Sequence, residues 1–227
     1  MWFCTNYGIN RYDGYKFNVF TSNKNDSIGL PFNNATRIQE DDEGNLWVLG
    51  NNQYVVYDVK EGAFRRNISP YLNRMGIAFT PSLIEIDDAK NFYAFHASEG
   101  LFCYPAGAAE PAYRVAYDNR ESSAIIAMKR HGDSLWLLYE AGLLERINLA
   151  NGTVDFRSAY IADRRAGSTI LKSLFVDRDG CPWVYPGFRD QGVLYYDFTV
   201  NKWFCLNKYG GDVKLESDFV RGIAQDD

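Results

Sequence analysis

The chain has 227 residues, a formal net charge of −5, and 16% aromatic side chains drawn from 16 Tyr, 15 Phe and 5 Trp, with 19 Gly. An acidic balance without a basic face argues against nucleic acid as a partner, and no apolar run approaches the roughly 20 residues of a membrane helix. Aromatics suit half-buried pleated surfaces and Gly supplies turns, so the mixture predicts many short strands.

The elements recur. An aromatic inside a short apolar strand appears at Trp2, Trp47, Tyr93, Trp136 and Trp183, at separations of 45, 46, 43 and 47 residues. An apolar strand A and an acidic turn precede it, most clearly in Ile38 to Trp47 (IQEDDEGNLW) and Leu174 to Trp183 (LFVDRDGCPW). The third copy keeps Asp87 and Asp88 but has Lys90 where Gly is expected, and the fourth has Arg130-His131-Gly132-Asp133 as its turn. After the aromatic strand B comes a loop, then an apolar-Tyr strand C, as in Gly8 to Asp13, Gly100 to Tyr104 and Gly192 to Asp197. A more polar strand D follows, as in Ala63 to Arg66. Four strands in about 45 residues make one blade of a β-propeller, and a blade buries both faces only by stacking on its neighbours. The expectation is therefore an all-β fold, with residues 1–227 a single propeller region.

The chain starts in strand B at Met1 to Thr5, and Phe219 to Asp227 repeat strand A up to the turn. Two arrangements fit. The terminal strand A pairs with the first B, C and D strands in a five-bladed ring, or both ends are cuts through a larger propeller. The second is favoured, because the last unit stops before its expected Gly and Trp.

The Asp-rich A–B turns invite a calcium reading, but a calcium loop needs a distal bidentate Glu, which this pattern lacks. Asp accepting nearby backbone N–H groups, with Gly in a left-handed position, fits better. No cofactor motif is present. The cysteines Cys4, Cys103, Cys181 and Cys205 have no metal-type spacing and read as small buried hydrophobes, with a Cys4–Cys205 disulfide left open. The N-terminus shows no basic stretch followed by an apolar core, so no signal peptide is read there. Four sequons, at Asn25, Asn34, Asn67 and Asn151, carry little weight.

The segments Trp2 to Gly14 and Ile38 to Gly50, with the approach Leu30 to Ile38, resemble the two-component regulator propeller repeats. These form the periplasmic sensor region of hybrid two-component systems in gut Bacteroidetes. The likeness is strong in copies one, two and five and weaker in three and four. The family's Thr-x-x-Gly step after the aromatic strand is kept at Thr5 to Gly8 only. The resemblance implies a seven-bladed propeller in a longer histidine kinase, a periplasmic location, and an oligosaccharide ligand released from glycans. It also implies the remaining blades and sensor domains of the same protein as partners, with a homodimer left open.

In propeller geometry the A–B turns lie on one rim and the B–C and D–A connections on the other. His131 falls on the A–B rim. The candidate ligand residues on the opposite rim are Asn52, Gln53, His96, Glu99, Phe188 and Arg189, with Arg37, Lys172 and Arg221 near the tops of strands A as partners for an anionic sugar. The longest B–C loop, Pro186 to Gln191, carries Phe188 and Arg189, an apolar face beside a planar donor fork. Against a sensor stand a protein-binding scaffold and, less favoured, a polysaccharide lyase or glycosidase. The enzyme would need a carboxylate pair across a cleft, and here the carboxylates cluster in the repeat's own turns. No catalytic residue is assigned.

Overall fold

The structure, a computed structural model, describes residues 1–5, 7–23, 28–115, 124–163, 173–185, 192–210, 212–220 and 222–226. Their strands form five sheets, each running through the chain in sequence order as a meander. The first sheet holds β1 (Trp2–Thr5), β2 (Gly8–Tyr12) and β3 (Phe17–Phe20). The second holds β4 (Ala35–Glu40), β5 (Leu46–Gly50), β6 (Gln53–Asp58) and β7 (Ala63–Arg65). The third holds β8 (Leu83–Ile86), β9 (Phe92–His96), β10 (Gly100–Tyr104) and β11 (Tyr113–Val115). The fourth holds β12 (Ile125–His131), β13 (Ser134–Tyr139), β14 (Leu144–Asn148) and β15 (Val154–Ser158). The fifth holds β16 (Ser173–Val176), β17 (Pro182–Tyr185), β18 (Val193–Asp197), β19 (Lys202–Asn207) and β20 (Val213–Lys214). This is the blade construction of a β-propeller, with a short parallel β20 added to the fifth sheet, pairing Leu206 with Val213.

Burial follows position in the blade. Strand β6 is buried at every residue from Tyr54 to Asp58, because both faces of a middle strand meet a neighbouring blade. The outer strand β3 instead alternates exposed and half-buried residues.

The chain divides into two compact units, residues 1–96 with 101–114, and residues 97–100 with 115–227. In the first unit two cores fill the gaps between successive blades. One joins Ile9, Leu46, Val48, Tyr57 and Phe64, with Trp2 and Phe20 packed against it. The other joins Trp47, Tyr54 and Val56 of the second blade to Ile84, Phe92 and Tyr104 of the third. In the second unit Trp136, Leu138 and Leu144 meet Val184, Tyr196 and Trp203.

Two short helices lie in D–A connections, outside the four-strand repeat. Helix α1 (Ser69–Arg74) buries Tyr71 and Leu72, and ends in a paired turn in which Gly76 N donates to Asn73 O and Ile77 N to Leu72 O. Helix α2 (Tyr160–Asp163) buries Ile161, and the Tyr160 ring stacks on Trp203 at 5.1 Å with a 3° interplanar angle.

The terminal strand A expected from Phe219 to Asp227 is a correction: the described residues from 219 to 226 form no strand. No strand pairs with them, so the ladder bonds of an inner strand are not made. The stretch is held by side chains and turns instead. Gln225 Oε1 accepts from Arg178 N at 2.8 Å, and Arg178 Nη2 donates to Asp226 O. All four cysteines are free thiols; Cys103 and Cys181 are buried, whereas Cys4 and Cys205 are only half-buried. Burial pushes the Cys4 thiol pKa up to about 11.

Candidate functional site

Because each blade is an antiparallel meander, its A–B and C–D turns share one rim, and its B–C and D–A connections share the other. The two rims are built by different chemistry.

On the A–B rim a carboxylate organises each acidic turn. Asp41 Oδ1 accepts from Glu43 N at 3.0 Å and Asn45 N at 2.8 Å; Oδ2 accepts from Asn45 Nδ2 at 3.2 Å and Trp47 Nε1 at 3.0 Å. Asp177 repeats this, with Cys181 N at 2.8 Å and Trp183 Nε1 at 2.8 Å. Asp87 holds Asn91 N at 2.9 Å and, in place of an indole, the Tyr93 hydroxyl at 3.2 Å. The left-handed position of the turn is Gly44 at φ 81°, Gly180 at φ 80°, and Lys90 at φ 65°. The Lys90 ammonium reaches Glu40 of the preceding blade at 3.3 Å. The Asn after the turn ties it to the C–D connection, where Val59 N donates to Asn45 Oδ1 at 3.4 Å and Ala106 N to Asn91 Oδ1 at 3.3 Å. These carboxylates spend their lone pairs on the fold's own donors. His131 lies on this rim as expected, its Nε2 3.1 Å from Arg178 O.

On the opposite rim, Asn51 (φ 49°) and Asn52 (φ 59°) are the two central residues of a hairpin closed by the Gly50–Gln53 pair. Two left-handed residues in a two-residue loop define a type I′ turn, a rigid connection, and Asn51, Asn52 and Gln53 are all exposed on it. His96 ends β9, half-buried, with its ring 6.0 Å from Phe79 of the D–A connection. Phe79 in turn lies 5.1 Å from Phe102, and the Arg114 guanidinium stands 4.9 Å over Phe102. This rim of the first unit thus combines rigid exposed amides with half-buried rings and a cation. Glu99, half-buried in its own B–C loop, accepts from Ser98 Oγ at 3.2 Å.

Arg37 is engaged inside the stack. Its Nη1 pairs with Glu85 Oε2 at 3.1 Å, where Gln39 Nε2 also donates at 3.0 Å, and Glu85 is only 3% exposed. Arg37 therefore joins β4 to β8, the inner strands of adjacent blades. Phe188, Arg189, Lys172 and Arg221 lie outside the described residues.

A loop clamp on this rim escaped the sequence reading. Gly8 N of the first B–C loop donates to Asn33 O at 2.6 Å, while Asn33 Oδ1 accepts from Ser22 N at 2.6 Å. In the fifth blade Gly192 N donates to Asp218 O at 3.2 Å, and Asp218 Oδ1 accepts from Lys208 N. One polar residue thus ties a B–C loop to the connection leaving strand D. The signal was present as Leu30-x-x-Asn33 ahead of strand β4 and as Leu215-x-x-Asp218 near the end of the sequence.

Residues 29–52 match the sequence model of the family described as two component regulator propeller. No curated protein matches the chain. Among solved structures, the extracellular domain of BT3049, described as a hybrid two component system of B. thetaiotaomicron, aligns with TM-score 0.61 and 18% identity over 99% of this chain. The extracellular domain of BT4673 from the same organism aligns with TM-score 0.57 and 18% identity over 89% of this chain. The chain spans 29% of the length of each of these structures. Among the described residues no helix is long and apolar enough to cross a membrane. The chain carries a two-component regulator propeller repeat at residues 29–52, within a series of β-propeller blades of the same construction.

Proposed function

We propose that this chain is the recognition part of an extracytoplasmic sensor, and that it takes oligosaccharides derived from glycans on the B–C and D–A rim. The regulator-propeller repeat at residues 29–52 carries this reading, because it joins the propeller to signalling proteins whose similar structures are extracellular domains. The chemistry of the rim supports the ligand class. A sugar presents an apolar ring face and a fringe of hydroxyls, and it is held best by an aromatic ring beside fixed planar donors. Phe79 and His96 supply rings, while Asn51, Asn52 and Gln53 supply amides on a turn that needs no ordering on binding. The signal would then pass to the rest of a longer hybrid two-component protein.

Calorimetric titration with a panel of plant, host-mucin and microbial oligosaccharides tests the reading. Binding of one class, weakened by Asn52→Ala and His96→Ala and unaffected by Lys60→Ala on the other rim, is the expected result. Silence across the panel, together with capture of a protein partner through the same rim, would replace the sensor with a protein-binding scaffold.

A further inference from the structure

Three loops of the first unit meet on the B–C and D–A rim and are locked together through their backbones. In the first B–C loop Thr5 Oγ1 accepts from Tyr7 N at 3.1 Å and donates to Gly8 O at 3.0 Å. Gly8 N donates to Asn33 O of the following D–A connection at 2.6 Å. That connection presses on the second B–C loop, where a methyl group at Gly50 would strike the Phe32 ring and Asn34 O. Ala35 pairs with Gly50, and Gly50 with Gln53, so the type I′ turn at Asn51 and Asn52 stands directly beside the connection.

The side chains held there are uncharged and unspent. Tyr7 is 81% exposed. Asn34, Asn51, Asn52 and Gln53 are exposed beside it. Loop asparagines ordinarily spend the side-chain carbonyl on a nearby backbone N–H. Asn67, Asn148, Asn151 and Asn207 do so, accepting from Ser69 N, Ala150 N, Thr153 N and Tyr209 N. The four amides beside Tyr7 make no such bond among the described residues. Asp, Glu, Lys and Arg make up 23% of the chain, yet none of them stands among the described residues of these three loops.

We propose that Tyr7 and the amides of Asn34, Asn51, Asn52 and Gln53 form a subsite for uncharged oligosaccharides, which it selects over uronate- or sulfate-bearing ones. The proposal rests on the recognition reading of this rim and adds which sugars the rim takes. The Tyr7 ring offers a platform to the apolar face of a sugar. Each amide both donates and accepts, and so does each sugar hydroxyl. A hydroxyl that leaves water for an amide exchanges one neutral hydrogen bond for another. A carboxylate or sulfate surrenders hydration that a cation restores best, and the described loops hold no cation. The turn also separates recognition from folding. A type I′ turn accepts Gly at its second central position at least as well as Asn, so Asn52→Gly removes the amide and keeps the turn.

Calorimetric titration of the 227-residue chain tests the proposal, with neutral gluco-, xylo-, manno-, galacto- and arabino-oligosaccharides beside oligogalacturonides and sulfated disaccharides. The binder should be a neutral sugar, with an affinity little changed between low and high salt. Tyr7→Ala and Asn52→Gly should each weaken it about fivefold to tenfold, while Tyr7→Phe keeps most of the affinity. Asn52→Gly should leave the melting temperature unchanged or raise it, which a purely structural role for the amide does not combine with lost binding. Preference for an acidic sugar, with an affinity that falls steeply with salt, would overturn the neutral subsite and leave recognition by the rim standing. Neutral binding untouched by Tyr7→Ala and Asn52→Gly would overturn it too. Silence across every sugar would overturn both the subsite and the recognition reading beneath it.

Discussion

The Trp47 indole donates its Nε1–H to Asp41 Oδ2 at 3.0 Å, and Trp183 does the same to Asp177 at 2.8 Å. The relationship explains why an acidic turn and an aromatic recur together six residues apart. The aromatic anchor is large, and burying its polar hydrogen unpaired would be costly. The turn carboxylate removes that cost while its other oxygen fixes the hairpin. Asp41→Ala should therefore strip the acceptor from four donors at once and cost about 2–3 kcal/mol, or several degrees in melting temperature. Tyr93→Phe removes the weaker 3.2 Å bond to Asp87 and should cost about 1 kcal/mol or less. Thermal unfolding of both variants checks the order; a larger loss from Tyr93→Phe would contradict it.

A second prediction concerns the pair that joins neighbouring inner strands. Glu85, 3% exposed, receives Arg37 and Gln39. Arg37→Ala leaves a buried carboxylate with a lost cation and should destabilise by about 2–3 kcal/mol, with the half-exposed arginine keeping the figure below that of a fully buried pair. The double variant Arg37→Met with Glu85→Leu should recover most of this. Chemical denaturation of the three proteins gives the comparison, and a double variant no more stable than Arg37→Ala would refute the assignment.

Third, Gly8, which opens strand β2, and Gly192, just before strand β18, meet the backbone of the neighbouring strand D. A methyl group at Gly8 would drive into Phe20 O, and one at Gly192 into Leu206 O, and both residues have positive φ, 110° and 70°. Gly8→Ala and Gly192→Ala should each cost about 2 kcal/mol or more, through steric clash added to left-handed strain. Gly14→Ala has open space around it but shares a positive φ of 104°, so it isolates the strain alone and should cost less. Equal losses at all three would mean that the close approach contributes nothing.

Fourth, burial and the neighbouring Asp58 carboxylate push the Tyr71 phenol up to about 12 from its usual value near 10. The Tyr71 hydroxyl donates to Asp58 Oδ2 at 2.7 Å. A raised pKa means that the unfolded chain gives up this proton first as pH rises. The contribution is complete below about 10 and is lost as pH climbs toward about 12. Tyr71→Phe should be less stable at neutral pH and show a shallower alkaline loss over that window. Parallel slopes for the two proteins would count against the coupling.

Much of the fold was legible because a propeller repeats its sentence. The spacing of Trp2, Trp47, Tyr93, Trp136 and Trp183 located five blades, and the Asp–Gly turns were read correctly as backbone acceptors. What escaped was non-local or carried by single residues. Helices α1 and α2 lie in D–A connections, outside the four strands whose spacing carries the repeat. The partner of Arg37 lies 48 residues away in the next blade, so its engagement with Glu85 could not be read from strand β4 alone. The clamp residues Asn33 and Asp218 differ in side chain and share only spacing, although each makes the same pair of bonds. Of the candidate rim residues, the structure groups His96 with Phe79 and fixes Asn52 and Gln53 on one turn. It assigns Arg37 to the joint between blades.

Amide hydrogen exchange, with and without an oligosaccharide that binds, tests the recognition account most directly. Protection should appear at Asn51 to Gln53 and around Phe79 and His96, on the B–C and D–A rim, with the turns at Asp41 to Asn45 and Asp87 to Asn91 unchanged. Protection confined to those acidic turns, with the opposite rim unaltered, would contradict it.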